Sequence, residues 1–157
     1  EISWIHWEAA DQGLIEYTRR VIEIARQHPI FQQRGWFQGR PLHGRGVTDI
    51  AWFMPDGVEM KEEHWTNGFG ETLGVFLNGR GIRSTDSRGR RIIDDSFYLV
   101  FNAGPDPVAC KLPGIQRVRR WQLILDTNLP LPENGNVFQA GETVTVRGRT
   151  MVVLQSH

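Results

Sequence analysis

The apolar residues of this chain change period once, and that change constrains the fold more than any single motif. Leu14, Tyr17, Val21, Ile24 and Ala25 recur at three- and four-residue steps, the spacing of one buried helical face. From Asp49 onward the step is mostly two, the period of strands whose side chains alternate between faces. The expectation is one long helix with a single apolar stripe, followed by a series of short strands.

Asp11 is a suitable N-cap for a helix over residues 13–27, with Arg19, Arg20, Glu23, Arg26 and Gln27 mostly on the other side. Pro29 ends it, because the residue before a proline avoids the α region. Residues 29–48 are polar and glycine-rich and read as a connection. Residues 49–54 and 58–60 flank Pro55-Asp56-Gly57, a hairpin pattern. Residues 61–65 suit one helical turn. Strands are expected over 72–78, 96–102, 108–112, 121–126, 143–147 and 150–155. The run Phe97-Tyr98-Leu99-Val100-Phe101 is apolar on both faces and predicts a covered central strand, whereas Val144 and Val146 alternate with threonines as a half-buried strand does. Six short strands with glycine and proline turns indicate a mainly β fold, an antiparallel β-sandwich preceded by one long helix. Three segments follow: 1–35 with the helix, 36–69 as a connecting segment with a short hairpin, and 70–157 as the sandwich.

A chain of 157 residues holds one ordinary domain and is too short for a (β/α)₈ barrel of about 250 residues. Lysines and arginines number 18, as do aspartates and glutamates, so charge balance indicates neither a polyanion nor a membrane partner. The single cysteine, Cys110, rules out an internal disulfide and fits a reducing, cytoplasmic setting. No stretch approaches the ~20 apolar residues of a membrane helix. The chain opens on Glu1-Ile2-Ser3-Trp4-Ile5-His6-Trp7, large apolar side chains that need a surface, and this reads as a cut inside a larger protein.

Candidate chemistry is thin. Asp94-Asp95 is the most visible carboxylate pair, but adjacent strand residues point to opposite faces, so solvated acids at the start of a strand are expected. Glu62-Glu63 suits the first turn of a short helix, where the macrodipole favours acids. His6, Glu8 and Asp11 match no metal-ligand spacing, so neither metal nor cofactor is expected. Cys110 reads as a small buried hydrophobe. Arg80, Arg83, Arg88, Arg90 and Arg91, softened by Asp86, Asp94 and Asp95, read as a solvated loop. Of the six tryptophans, Trp121 and Trp52 fall in strand patterns and suit a core; Trp4, Trp7 and Trp36 suit contact with a further domain or a sugar ring.

The words of the sequence go further than its periods. Glu1-Ile2-Ser3-Trp4, Leu14-Ile15-Glu16-Tyr17-Thr18-Arg19-Arg20, Arg26-Gln27-His28-Pro29, Phe37-Gln38-Gly39-Arg40, Asp49-Ile50-Ala51-Trp52-Phe53, Pro55-Asp56-Gly57-Val58-Glu59-Met60, Trp65-Thr66-Asn67-Gly68-Phe69, Leu73-Gly74-Val75-Phe76-Leu77-Asn78-Gly79 and Asp94-Asp95-Ser96-Phe97 occur in order. Together they resemble bacterial glycogen debranching enzymes, isoamylase-type members of the α-amylase superfamily. The resemblance implies that the helix is the last of a (β/α)₈ barrel and that the sandwich is a C-terminal domain. It implies a parent glycoside hydrolase that cleaves α-1,6-glucosidic branch linkages in glycogen or limit dextrin by a retaining double displacement. The catalytic carboxylates of that family lie upstream of Glu1, so no residue here inherits a catalytic role. Glu1, Ser3 and Trp4 would sit in a loop at the barrel mouth and line substrate subsites. The partner is then the barrel of the same polypeptide, with no nucleic acid and no membrane. A standalone α-glucan-binding sandwich is the competing expectation. If the sandwich only seals the barrel, the helix face of Leu14, Tyr17, Val21 and Ile24 should be bare in the isolated piece.

Overall fold

The computed structural model describes residues 7–33, 35–39, 48–66, 70–115, 118–128 and 136–157. Among them, helix α1 spans Gln12–Gln27, and the Asp11 carboxylate accepts from Leu14 N at 3.1 Å as its N-cap. His28 N still donates to Ile24 O, and Pro29 then opens a 3₁₀ turn, Pro29–Gln32, where the expectation was a loop. Proline suits that first position, since its missing N–H would have no partner there.

Eight strands follow among the described residues: β1 (Ile50–Phe53), β2 (Thr72–Leu77), β3 (Phe97–Asn102), β4 (Val108–Lys111), β5 (Arg120–Asp126), β6 (Val137–Gln139), β7 (Thr143–Val146) and β8 (Thr150–Ser156). A short helix α2, Glu62–Trp65, lies between β1 and β2. A six-stranded antiparallel sheet runs in the order β1-β2-β3-β8-β5-β6, and β4 pairs with β7 as a second sheet. Thus β3 is central, as its two-sided apolar run requires. Residues 54–58 do form a tight turn, with Met54 N donating to Val58 O, but β1 also pairs with β2. The hairpin expected within 36–69 therefore contributes a strand to the large sheet. The three-residue strand β6 was not expected from the sequence; it pairs with β5.

The large sheet is covered on both faces. On one face Phe76, Tyr98, Val100, Trp121, Val152 and Leu154 pack with Cys110, Leu112, Val144 and Val146 from the small sheet side. On the other, Val75, Leu77, Phe97, Leu125 and Val153 pack with Ile24 of α1 and Ile30 of the 3₁₀ turn. Tyr17 and Val21 lie against this second cluster. This corrects the expected bare patch: the sheet covers Tyr17, Val21 and Ile24, and only Leu14 stays largely exposed. One turn of the sequence period showed that the helix needs a surface but could not show that the chain itself supplies it.

Within the large sheet, Gly74 pairs with Val100, and a Cβ there would overlap the Tyr98 hydroxyl. Tyr98 is wedged between Phe53 and Trp121, with ring centroids 5.9 and 5.8 Å away, so it has nowhere to go. Asn102, buried at the end of β3, ties three chain segments together. Its amide donates to Asp106 O at 2.8 Å and Arg147 O at 2.9 Å, and its carbonyl accepts from Thr72 Oγ1 and Gly104 N.

Candidate functional site

The carboxylate pair sits in the coil before β3, not on a strand, so the alternation argument does not apply to it. Asp94 turns inward with its side chain 7% exposed. Its Oδ1 meets His28 Nδ1 at 2.9 Å and accepts from Asp95 N at 2.8 Å; Oδ2 accepts from Ile30 N at 3.0 Å. Asp94 is therefore not a solvated acid. It caps the 3₁₀ turn and clamps it to the sheet. His28 completes the clamp, its ring edge-on to Phe97 at 4.7 Å. Asp95 remains outside, accepting from Gln155 Nε2 at 2.7 Å. One ligand atom each from His28, Asp94 and Asp95 fall within 4.8 Å of one another. Both Asp94 oxygens are already held by local donors, however, so the geometry is that of a joint between helix and sheet.

A second inward carboxylate escaped the sequence reading. Asp49, buried just before β1, accepts from Gln38 N and Gly39 N at 2.9 Å each and from Ile50 N at 3.0 Å. Gly39 has φ of 63°, which lets two successive N–H groups converge on one carboxylate. Arg83 Nη2 lies 3.9 Å from it and Arg83 Nη1 donates to Gln38 Oε1 at 2.7 Å. No local pattern announces either Asp94 or Asp49, because their partners are distant in sequence.

The remaining candidates are structural in the same sense. Glu62 and Glu63 occupy the first turn of α2, as expected. The arginine run forms a hairpin arm bridged at Thr85 and Arg91. In it Arg90 Nε pairs with Asp86 at 2.8 Å, and Arg91 donates to Arg80 O. The Asp86 carboxyl is held below the usual carboxylate range, chiefly by the Arg90 backbone N–H. Cys110 is buried, and burial pushes its thiol up to about 11, away from nucleophile behaviour. Trp121 is fully buried and donates from Nε1 to Pro113 O, as a core tryptophan should. Trp52 is half-buried with the exposed Trp65 edge-on at 5.4 Å, while Trp36 is 93% exposed. Glu1, Ser3, Trp4 and His6 lie outside the described residues. No helix among the described residues is long and apolar enough to cross a membrane.

What the described residues offer, then, is three inward carboxylates held by nearby donors (Asp94, Asp49 and Asp126, which accepts from Asn128 N at 2.8 Å), a set of exposed aromatic side chains and one inert thiol. Comparison with known proteins adds the context. The family described as the isoamylase C-terminal domain matches residues 49–155. The glycogen operon protein GlgX homolog of Mycobacterium tuberculosis is 37% identical over 158 aligned residues, covering 99% of this chain and 22% of that protein. The glycogen debranching enzyme of Pectobacterium atrosepticum is 32% identical over 82 residues, 52% of this chain and 11% of that one. Among solved structures, a type I pullulanase from Bacillus subtilis, crystallised with maltose, shares the fold. Its TM-score is 0.51 at 16% identity, covering 90% of this chain and 15% of the pullulanase chain. The chain thus spans about a fifth of the length of the curated relatives that match it throughout.

Proposed function

The chain belongs to the isoamylase C-terminal domain family, and from that premise we propose that it is the C-terminal β-domain of a glycogen-debranching glycoside hydrolase. The parent hydrolyses α-1,6-glucosidic branch linkages in glycogen or limit dextrin in the cytoplasm. This domain stabilises the parent's catalytic barrel and performs no chemistry itself.

One observation carries the stabilising role. Helix α1 carries apolar side chains that the described residues leave uncovered. Tyr17, Val21 and Ile24 face the sheet, while Leu14, at the N-terminal end of the same stripe, is 62% exposed and Ile22, more than a quarter-turn around the helix from all three, is 51% exposed. A helix apolar on two sides belongs between two layers. The second layer would be the barrel. The saturated carboxylates agree with a non-catalytic role: a retaining glycosidase needs two free carboxyl groups about 5 Å apart, one of them able to exchange a proton, and Asp94 is held by three donors.

Reading the coding sequence upstream of Glu1 tests this. An open frame extending for roughly 250 residues, with aspartate, glutamate and aspartate at successive strand ends, is expected. A stop codon directly upstream would contradict it. A second reading, a standalone α-glucan-binding module, is favoured by Trp36, whose indole stands in solvent. It requires tryptophan fluorescence to respond to maltoheptaose, and a flat titration into the millimolar range would remove it.

A further inference from the structure

Residues 36–39 form an exposed ledge held from below by the buried carboxylate of Asp49. Phe37 packs into the helix-side cluster, while Trp36 and Gln38 on either side of it are exposed, the Trp36 indole almost wholly so. Asp49, whose side chain is 3% exposed, accepts from Gln38 N and Gly39 N, and its own backbone carbonyl accepts from Asn78 N just after β2. The ledge is thus tied down at Phe37, Gln38 and Gly39, and Trp36 stands directly before these fixed positions. Arg83 lies alongside. Its Nη1 donates to Gln38 Oε1 at 2.7 Å, its Nη2 is 3.9 Å from the Asp49 carboxylate, and its side chain is 47% exposed. With Oε1 taken, Gln38 keeps an amide NH₂ to donate, and the guanidinium has further N–H groups to spare. An exposed aromatic plane is therefore flanked by outward donors on a framework that a buried carboxylate holds in place.

We propose that Trp36, Gln38 and Arg83 form a surface subsite for α-glucan. The indole stacks on the apolar face of one glucose ring, and the Gln38 amide and the Arg83 guanidinium donate to its hydroxyl and ring oxygens. The inference rests on the reading above for the class of sugar, and it places the contact on the domain itself, whether that domain stands alone or inside a longer enzyme. Three features select this ligand. First, a protein surface apolar enough to cover the indole would strip water from Gln38 and Arg83 without accepting from them, which is costly, whereas a glucan brings oxygens that accept. Second, Arg83 faces the Asp49 carboxylate, so the charge beside the indole is largely cancelled, and a neutral ligand fits better than a phosphate-bearing one. Third, the donors are already held before a ligand arrives, so binding has little left to order. One ring on one indole gives a dissociation constant of order millimolar. A branched polymer that presents many chain ends converts such a contact into lasting attachment.

Native electrophoresis of the 157-residue chain through gels containing glycogen tests this, with maltoheptaose as the soluble competitor. Retardation that maltoheptaose reverses is expected. Trp36→Ala should weaken it at least about tenfold and Gln38→Ala about threefold or more, while Trp36→Tyr, which keeps a ring, stays within about threefold of the unsubstituted chain. Trp65→Ala removes another exposed indole and should leave retention unchanged. Matching urea midpoints for Trp36→Ala and Gln38→Ala separate lost binding from lost folding. Free passage of the unsubstituted chain would overturn the proposal, as would full retention of Trp36→Ala. So would an equal loss in Trp65→Ala, which would place sugar on the Trp52 and Trp65 pair, or retention abolished by about 0.3 M sodium chloride, which would make the contact ionic. In the polypeptide read from the upstream frame, Trp36→Ala should raise the KM for glycogen more than that for a short branched dextrin. Equal changes would mean that Trp36 is covered there and would also overturn the proposal. Retention involves no turnover, so failure of the longer polypeptide to debranch counts against the proposed function alone, and failure of the chain to be retained by glycogen counts against this site alone.

Discussion

At the scale of residues, the informative positions are those where a side chain has no alternative place. Tyr98 fills the space above Gly74. Gly74→Ala should therefore lower stability by about 1–3 kcal/mol in urea unfolding. Gly114→Ala, where a Cβ meets nothing within 4 Å, should be neutral or slightly stabilising. Equal effects would mean that Tyr98 yields. Asp94→Ala strips the partner from the buried Ile30 N–H and from His28, a loss of about 2 kcal/mol or more; Asp95→Ala, at the exposed end of one bond, should stay within roughly 0.5 kcal/mol. The carboxylate pair was visible in the sequence, but its role was not. His28 is 66 residues away from Asp94, and no local spacing encodes such a meeting. The structural role of Asp49 was equally unannounced, since Gln38 and Gly39 lie 11 and 10 residues before it in a stretch with no periodic pattern.

Cys110 provides a pH signature. Its thiol ionises near 9.0 when free and at about 11 in the fold, because burial disfavours the thiolate. As pH rises past 9 the unfolded chain loses the proton first. Stability from this group is thus complete below 9 and is lost progressively as pH rises to about 11, on the order of 2 kcal/mol in all. Burial also raises the Tyr98 phenol from 10.0, so tyrosine joins the loss only above 10. Between pH 9 and 10 the fall in urea midpoint should vanish in Cys110→Ala. A slope that persists there would assign the alkaline limb to other groups.

At the scale of elements, periodicity served well where an element was long or fully covered. Helix α1 and strand β3 lie within a residue or so of where the apolar spacing places them. It failed where an element is short or borrowed. Strand β6 has three residues beside a proline-rich stretch, too few for a period to show. Strand β1 reads locally as half of a hairpin, and only its pairing with β2 brings it into the sheet. For α1 the apolar stripe was legible but its partner was not: Tyr17, Val21 and Ile24 meet the sheet, leaving Leu14 and Ile22 for something else. In the 157-residue chain, Leu14→Lys with Ile22→Lys should change stability by no more than about 0.5 kcal/mol and reduce self-association in sedimentation velocity. Ile24→Lys should cost on the order of 3 kcal/mol or more, since it buries a charge in the cluster. If the double substitution unfolds the chain, Leu14 and Ile22 are already in use within it.

At the scale of the whole molecule, the described residues form three layers, helix, large sheet and small sheet, and both faces of the large sheet contribute to the core while Phe101 stays partly exposed. Its family membership was legible because ordered sequence words span nearly the whole chain, and words of that length depend on no single geometric rule. The substrate-contacting role expected of Glu1, Ser3 and Trp4 lies outside the described residues and stays with the proposed parent enzyme. In the role proposed above, the domain would contribute to catalysis by holding a barrel in shape, since catalytic groups act only when fixed in mutual geometry. The most direct test is release of reducing ends from glycogen limit dextrin, measured side by side for the purified 157-residue chain and for the polypeptide that includes its upstream frame. Steady turnover by the longer polypeptide and none by the chain alone is expected. Turnover by the 157-residue chain, or none by the longer one, would contradict the proposed function.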